Sequence, residues 1–153
     1  MNKVTSFITY SQGAEKAVSL YVSLIRNSKI NSMVTAPDGS YSLVNFELDG
    51  KTYTAMNGGP TFSFSTGFSM FVECDDQAEV DRLWENLTAN GGQEGTCGWL
   101  TDPWGLSWQI VPRRFMELAA DPDPERAQRV VNAMLKMKKL IISDLEAAAD
   151  GKE

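Results

Sequence analysis

The chain has 153 residues, with 14 Lys+Arg against 20 Asp+Glu and no histidine, for a formal charge of −6. That length suits one compact domain or two small halves, and 42% apolar with 22% charged residues is the balance of a folded globular protein. Without histidine there can be no Ser-His-Asp or Cys-His arrangement and no HExxH zinc site, and an acidic chain lacks the basic face that nucleic acid requires.

Residues 4–10 mix β-branched and aromatic side chains over a strand's length. After Ser11-Gln12-Gly13, Ala14, Ala17, Val18, Tyr21, Leu24 and Ile25 recur at helical spacing. Residues 29–35 and 41–48 read as strands separated by a turn at Pro37-Asp38-Gly39, and Asp49-Gly50 signals a tight hairpin into a return strand over 51–56. Gly58-Gly59-Pro60 ends that pattern, which then restarts. Residues 67–74 form an apolar strand, Asp75 or Asp76 can cap the next helix, and Val80, Leu83, Trp84 and Leu87 are its buried stripe. Asn90-Gly91-Gly92 stops the helix. Short strands are expected within 94–100, a turn at residues 101–105, and a closing strand over 106–111. The tail changes character. Asp123 and Pro124 suit the N-cap and first helical position, Ala127, Val130, Val131, Met134 and Leu135 form a stripe, and Lys136, Lys138 and Lys139 suit the negative end of that helix. Ser143 can cap a last short helix, and this helical layer covers either the chain's own sheet or a second subunit.

The restart can be tested by register. A shift of 63 pairs Ser6 with Ser69, Ala17 with Val80, Tyr21 with Trp84 and Leu24 with Leu87. A shift of 55 pairs Gly50 with Gly105, Tyr53 with Trp108, Thr54 with Gln109 and Ala55 with Ile110. This points to a duplicated β-α-β-β-β module, with two unrelated amphipathic βα units as the alternative. The expected organisation is a first module over 1–60, a second over 61–112 and a helical extension over 113–153.

Cys74 and Cys97 make neither a disulfide framework nor a zinc site and read as free thiols in a reducing cytoplasm. The N-terminus lacks the apolar region of a signal peptide, and no run reaches the ~20 apolar residues that span a bilayer, so no membrane partner is expected.

Residues 97–112, from Cys97-Gly98-Trp99 through Asp102-Pro103-Trp104-Gly105 to Trp108-Gln109-Ile110-Val111-Pro112, resemble the PhnB-like branch of the glyoxalase/bleomycin-resistance (vicinal oxygen chelate) superfamily. So do Asn57-Gly58-Gly59-Pro60, residues 75–81 and residues 121–127, and the resemblance extends over about 4–145. It implies an α+β fold of two βαβββ modules forming a paired open-cup sheet plus C-terminal helices, and usually a homodimer. Metal-dependent relatives hold one divalent ion with two ligands per module, normally His, Glu or Gln on the first and last strands. The resemblance puts Gln109 at one such position and Thr54 at its counterpart. On the first strands it puts Ser6 and Ser69, with Thr5 and Phe68 as alternatives.

Neutral hydroxyls and one amide are poor ligands for a divalent cation, so no metal and no other cofactor is expected. A polar floor of Ser6, Thr54, Ser69 and Gln109 remains, with Trp99 or Trp104 able to stack on a planar guest at its mouth; core packing or a dimer contact is the alternative for either indole. Trp84 belongs to the core, and if Gln109 faces the cup then Trp108 faces the opposite side of the sheet. The leading reading is therefore a non-metal dimer that binds a small organic molecule, and the acidic balance suits a cationic guest. An enzyme on this fold would need Glu, Asp, Lys or Tyr to carry protons, with Tyr10, Tyr53 and Glu47 near the expected sheet but without a partner visible in the sequence, and a third reading assigns the function to partner binding by the C-terminal helices. Relatives of this branch often carry a ubiquinone-methyltransferase label, but neither glycine pair forms the strand–GxGxxG–helix pattern of a nucleotide site. Glu73, Asp75 and Asp76 read as capping and solvation, and Arg113-Arg114 as surface ion pairs.

Overall fold

A computed structural model describes residues 2–152. The chain divides into two compact units, one ending at Ser63 and the other beginning at Phe64.

The first unit runs β1 (Ser6–Tyr10), α1 (Ala14–Leu24), β2 (Lys29–Thr35), β3 (Ser42–Leu48) and β4 (Lys51–Asn57). Its sheet order is β1-β4-β3-β2, with β1 parallel to β4 and the other neighbours antiparallel. Alternation decides which face meets the helix. Ser42, Val44, Phe46 and Leu48 of β3 are buried with Ile8, Tyr10 and Ala55, against the Ala14, Ala17, Val18, Tyr21 and Leu24 stripe of α1. The Tyr10 hydroxyl donates to the Tyr21 hydroxyl at 2.9 Å, so a polar tie joins strand to helix inside this core. At the β3–β4 hairpin, Asp49 and Gly50 have φ of 49° and 79°, the pair of positive values that a type I′ turn needs.

The second unit repeats the plan with β5 (Ser69–Cys74), α2 (Gln77–Thr88), β6 (Gln93–Glu94), β7 (Trp99–Thr101) and β8 (Ser107–Pro112). Its order, β5-β8-β7-β6, again puts the first strand parallel to the last. Val80, Leu83, Trp84 and Leu87 of α2 are buried with Met70, Cys74, Leu100, Trp108 and Ile110. Two βαβββ modules and an α+β fold are thus present. Asp76, rather than Asp75, is the N-cap of α2, accepting from the Glu79 N–H at 2.9 Å.

The tail belongs to the second unit and holds three helices, α3 (Arg113–Ala119), α4 (Pro124–Met134) and α5 (Ile142–Ala149). Helix α3 is absent from the sequence reading, because seven residues with only Phe115 and Leu118 as apolar anchors carry little periodicity. Asp123 caps α4 as expected, accepting from the Glu125 N–H at 3.0 Å. Two expectations fail. Helix α4 ends at Met134, so Lys136, Lys138 and Lys139 lie past its last turn, and Ser143 lies inside α5, whose N-cap is Ile141. Val130, Leu140, Leu145 and Ala149 pack with Leu118 and with Val111 of β8, with Met134 against them, so the tail's apolar stripe is covered in part within its own unit while Leu135 stays exposed.

Candidate functional site

The pairing register gives the address of each candidate residue. On β1–β4, Ser6 lies opposite Tyr53 and Phe7 opposite Thr54. Side chains alternate along a strand, so Ser6 shares the helix-side face with Tyr53, while Thr54 shares the open face with Phe7. Placing Ser6 beside Thr54 is therefore corrected: Ser6 points away from it. On β5–β8, Ser69 lies opposite Ser107 and Phe71 opposite Gln109, and all four share the open face. Thr54 and Gln109 are equivalent through the shift of 55, so Phe7 corresponds to Phe71, a shift of 64. The helices keep 63 because the β1–α1 link has three residues and the β5–α2 link two. One residue of loop length turned Ser6 to the wrong side, a signal carried by backbone pairing and invisible to a uniform shift. The alternatives Thr5 and Phe68 both lie just before their strands.

In the first unit the open-face row is satisfied internally. The Thr54 hydroxyl donates to Asn45 Oδ1 at 2.8 Å, and Asn45 Nδ2 donates to the Ser32 hydroxyl at 3.0 Å. Phe7 at the end of that row is 57% exposed.

The second unit is different. Register places Phe71, Gln109 and Trp99 in one row across β5, β8 and β7, and Ser69, Ser107, Thr101 and Gln93 in the next row across all four strands. Gln109 Nε2 donates to the Ser69 hydroxyl at 2.9 Å, and Oε1 of the same amide accepts nothing from any described residue. Neither row contains a charged side chain. A groove of about 450 Å³ opens beside them, lined by Trp99, Thr101, Ser107 and Thr66 and by the loop at Gly95, Thr96 and Cys97. That volume lies within the range of small-molecule sites. Ser69, Gln109 and Phe71 do not line the groove but are cross-strand neighbours of residues on its row positions. The structure thus brings Ser69, Gln109 and Trp99 to one face; Thr54 holds the corresponding place in the other unit.

Trp104 takes no part in the groove. It sits in the turn after β7, where Asp102 Oδ1 accepts from the Trp104 and Leu106 N–H groups, each at 3.0 Å, and Oδ2 accepts from the Trp108 indole at 3.0 Å. Asp102 is 2% exposed, and this buried carboxylate was read from the sequence only as a turn residue. It holds the turn that sets the register of β8, and hence the face on which Gln109 emerges. Trp108 faces the helix side, as alternation from Gln109 requires.

The proton-carrier candidates do not converge. Tyr10 is buried against Tyr21, Tyr53 stacks on Phe46 with centroids 5.4 Å apart, and burial pushes the Tyr53 phenol above its ordinary range. Glu47 pairs with Lys29 at 3.5 Å. Arg113 is held by Glu73 at 2.8 Å and by Asp75, and Arg114 by Glu146 at 2.9 Å, so both are committed to surface ion pairs. Glu94 lines the groove on an edge strand, but it lies opposite Leu100 on the helix side, and its carboxylate accepts the Trp84 indole N–H at 2.7 Å.

The last-strand positions at which the resemblance implies ligands for a divalent ion hold Thr54 and Gln109, with Phe7 and Phe71 opposite on the open face. Two rings, a hydroxyl and an amide do not fit such an ion, which needs carboxylate, imidazole or thiolate donors to offset its dehydration. Among the described residues no three His, Cys, Asp or Glu side chains gather as a metal site, and no helix is long and apolar enough to cross a membrane.

Comparison with known proteins agrees with this architecture. The profile of the 3-demethylubiquinone-9 3-methyltransferase family matches residues 2–111, so α3 to α5 lie beyond the match. A PhnB protein from Bacillus cereus is 25% identical with a TM-score of 0.65, over 72% of this chain and 99% of that one. The trypanothione-dependent glyoxalase I of Leishmania major is similar in fold, at 13% identity and a TM-score of 0.51 over 76% of this chain and 90% of that one. The fosfomycin resistance protein FosX of Listeria monocytogenes, solved with Mn(II) and sulfate, gives 18% identity and a TM-score of 0.50 over 71% and 90%. No curated protein matches the sequence. With more than two thirds of its length matched and its two βαβββ modules in place, the chain belongs to the 3-demethylubiquinone-9 3-methyltransferase family, the PhnB-like branch of the glyoxalase/bleomycin-resistance superfamily.

Proposed function

We propose that this protein is a homodimeric binder of a small organic molecule, which it holds on the open sheet face of its second unit. The observation that carries the reading is the pairing of an uncharged hydroxyl-and-amide row with an aromatic row beside a 450 Å³ groove. Aromatic surface supplies apolar contact area, and a few fixed donors and acceptors orient the guest. Ser69, Gln109 and Trp99 are its binding residues; Thr54 belongs to the equivalent row of the first unit, and Ser6 and Trp104 are left out. The acidic balance of the chain would draw cations to its surface, yet Glu73 on this face is paired with Arg113 and Glu94 at the groove accepts the Trp84 indole N–H, so a cationic guest has no uncommitted carboxylate to anchor it. The methyl transfer in the family's description would need a donor site, and neither glycine pair opens a helix: Gly58-Gly59 follows β4 and Gly91-Gly92 precedes β6.

Native mass spectrometry of the untagged protein, followed by a ligand screen read on the Trp99 indole and Gln109 amide resonances, tests this reading. A dimer mass is expected, with hits that shift both resonances and weaken about tenfold in Gln109→Ala and Trp99→Ala while the dimer persists. Unchanged affinity in both variants would place binding elsewhere, and a monomer would remove the assembly from the proposal.

A further inference from the structure

We propose that Gln109 reads the amide edge of an uncharged planar ligand, making a neutral carboxamide or lactam the chemical class this face selects. The inference rests on the binding reading above and names its ligand.

The argument starts from what the Gln109 side chain still offers. One Nε2–H goes to the Ser69 hydroxyl at 2.9 Å, which ties the amide of β8 to β5. Oε1 and the second Nε2–H are left as an adjacent acceptor and donor. A primary carboxamide or a lactam presents the matching donor and acceptor in one plane, so the two groups pair through two hydrogen bonds. A carboxylate ligand would set one of its oxygens against Oε1, and an amidinium would set an N–H against Nε2–H; each leaves one repulsive contact where the carboxamide has none.

The surroundings select shape and charge in the same direction. Phe71 and Trp99 flank Gln109 as its cross-strand neighbours on β5 and β7, Phe71 is half-exposed and Trp99 lines the groove, so aromatic surface lies on both sides of the amide. The adjoining row, Ser69, Ser107, Thr101 and Gln93, is neutral throughout. The charged residues nearest in sequence are already engaged, Glu73 with Arg113 and Glu94 with the Trp84 indole. A charged ligand would give up water for this face, where Glu73 is already neutralised by Arg113 and no uncommitted counter-ion stands beside Gln109. The first unit lacks the device, because its equivalent residue is Thr54, a hydroxyl already donated to Asn45.

Benzamide, benzamidinium and benzoate share one planar shape and differ in charge and in hydrogen-bonding edge, so they are the probes, titrated into the full-length protein by calorimetry and by side-chain NMR. Wild type is expected to bind benzamide about tenfold more tightly than either ion, the cost of one mismatched hydrogen bond. Gln109→Glu puts a carboxylate on the same frame and is expected to invert the order in favour of benzamidinium, through a bidentate charge-assisted pair. Trp99→Ala is expected to weaken all three alike and keep their order. If benzamidinium or benzoate binds wild type best, or if Gln109→Glu leaves the order unchanged, the amide-reading role is overturned while binding at this face survives. If none of the three shifts the Trp99 or Gln109 resonances, both the role and the binding reading fall.

Discussion

Cys74 and Cys97 carry the same thiol in opposite settings. Cys74 ends β5 inside the second unit's core, where burial first and the neighbouring carboxylates of Glu79 and Asp75 next push its pKa from 9.0 up to about 12. Cys97 lies in the groove loop, partly exposed, on a backbone with φ of 59°. Below pH 9 the Cys74 thiol is neutral in the folded and the unfolded chain alike. Between that value and about 12 the unfolded chain releases the proton while the folded chain keeps it, so stability falls as pH rises. Wild type should therefore lose up to about 1.4 kcal/mol per pH unit more than Cys74→Ala across that window. Urea midpoints of both proteins at about pH 8.5 and about pH 10.5 check this, and parallel losses would assign the alkaline sensitivity to other groups. Neither thiol contributes to the ligand reading, which depends on Gln109, and Gln109 depends in turn on Asp102 holding the turn before β8.

At the scale of elements, one side chain fastens the tail to the module. Gln77, the first residue of α2, donates from Nε2 to the Leu140 carbonyl at 3.1 Å and accepts from the Ile142 N–H at 2.7 Å through Oε1. It thereby serves one of the N–H groups at the start of α5, a helix whose own N-cap, Ile141, has no side chain that could do so. Two backbone bonds, Cys97 N–H to the Met137 carbonyl and Gly98 N–H to the Lys138 carbonyl, each 2.8 Å, run beside this staple, and Lys139 pairs with Asp81 at 2.8 Å. Gln77→Ala should release the α4–α5 connection and the start of α5 before it affects the sheet. Hydrogen exchange should then speed about tenfold over residues 138–146, corresponding to the loss of about 1–2 kcal/mol of local protection, with little change in β8. Uniform acceleration through the whole second unit would mean that the tail and the sheet open together.

At the scale of the whole molecule, the tail is part of the second unit's core. Leu118, Val130, Leu140, Leu145 and Ala149 are all buried with Val111 of β8. A chain ending at Pro122 would uncover Val111 and Leu118 and lose at least three large apolar contacts, each contributing about 1.5–3 kcal/mol. Its stability should drop on the order of 5 kcal/mol, read as a lower urea midpoint. An unchanged midpoint would reduce α4 and α5 to an appendage. The family profile stops at residue 111, so this helical layer is a feature of the chain that the shared βαβββ modules do not include.

The linear sequence by itself determined the duplicated β-α-β-β-β order, the helix stripes at Val18 and Tyr21 and at Val80 and Trp84, and the Asp49-Gly50 hairpin. The elements are local signals, since periodicity and turn chemistry are complete within a dozen residues, and the duplication follows from matching those local patterns 55 and 63 residues apart. Only the tertiary structure decided which side of the sheet each candidate faces. Side-chain direction reverses with every residue, so the one-residue difference between the β1–α1 and β5–α2 links sends Ser6 to the helix and leaves Ser69 beside Gln109. The buried Asp102 turn, the Gln77 staple and the row of Phe71, Gln109 and Trp99 are equally products of folding, because each joins residues whose contact depends on strands and helices being packed.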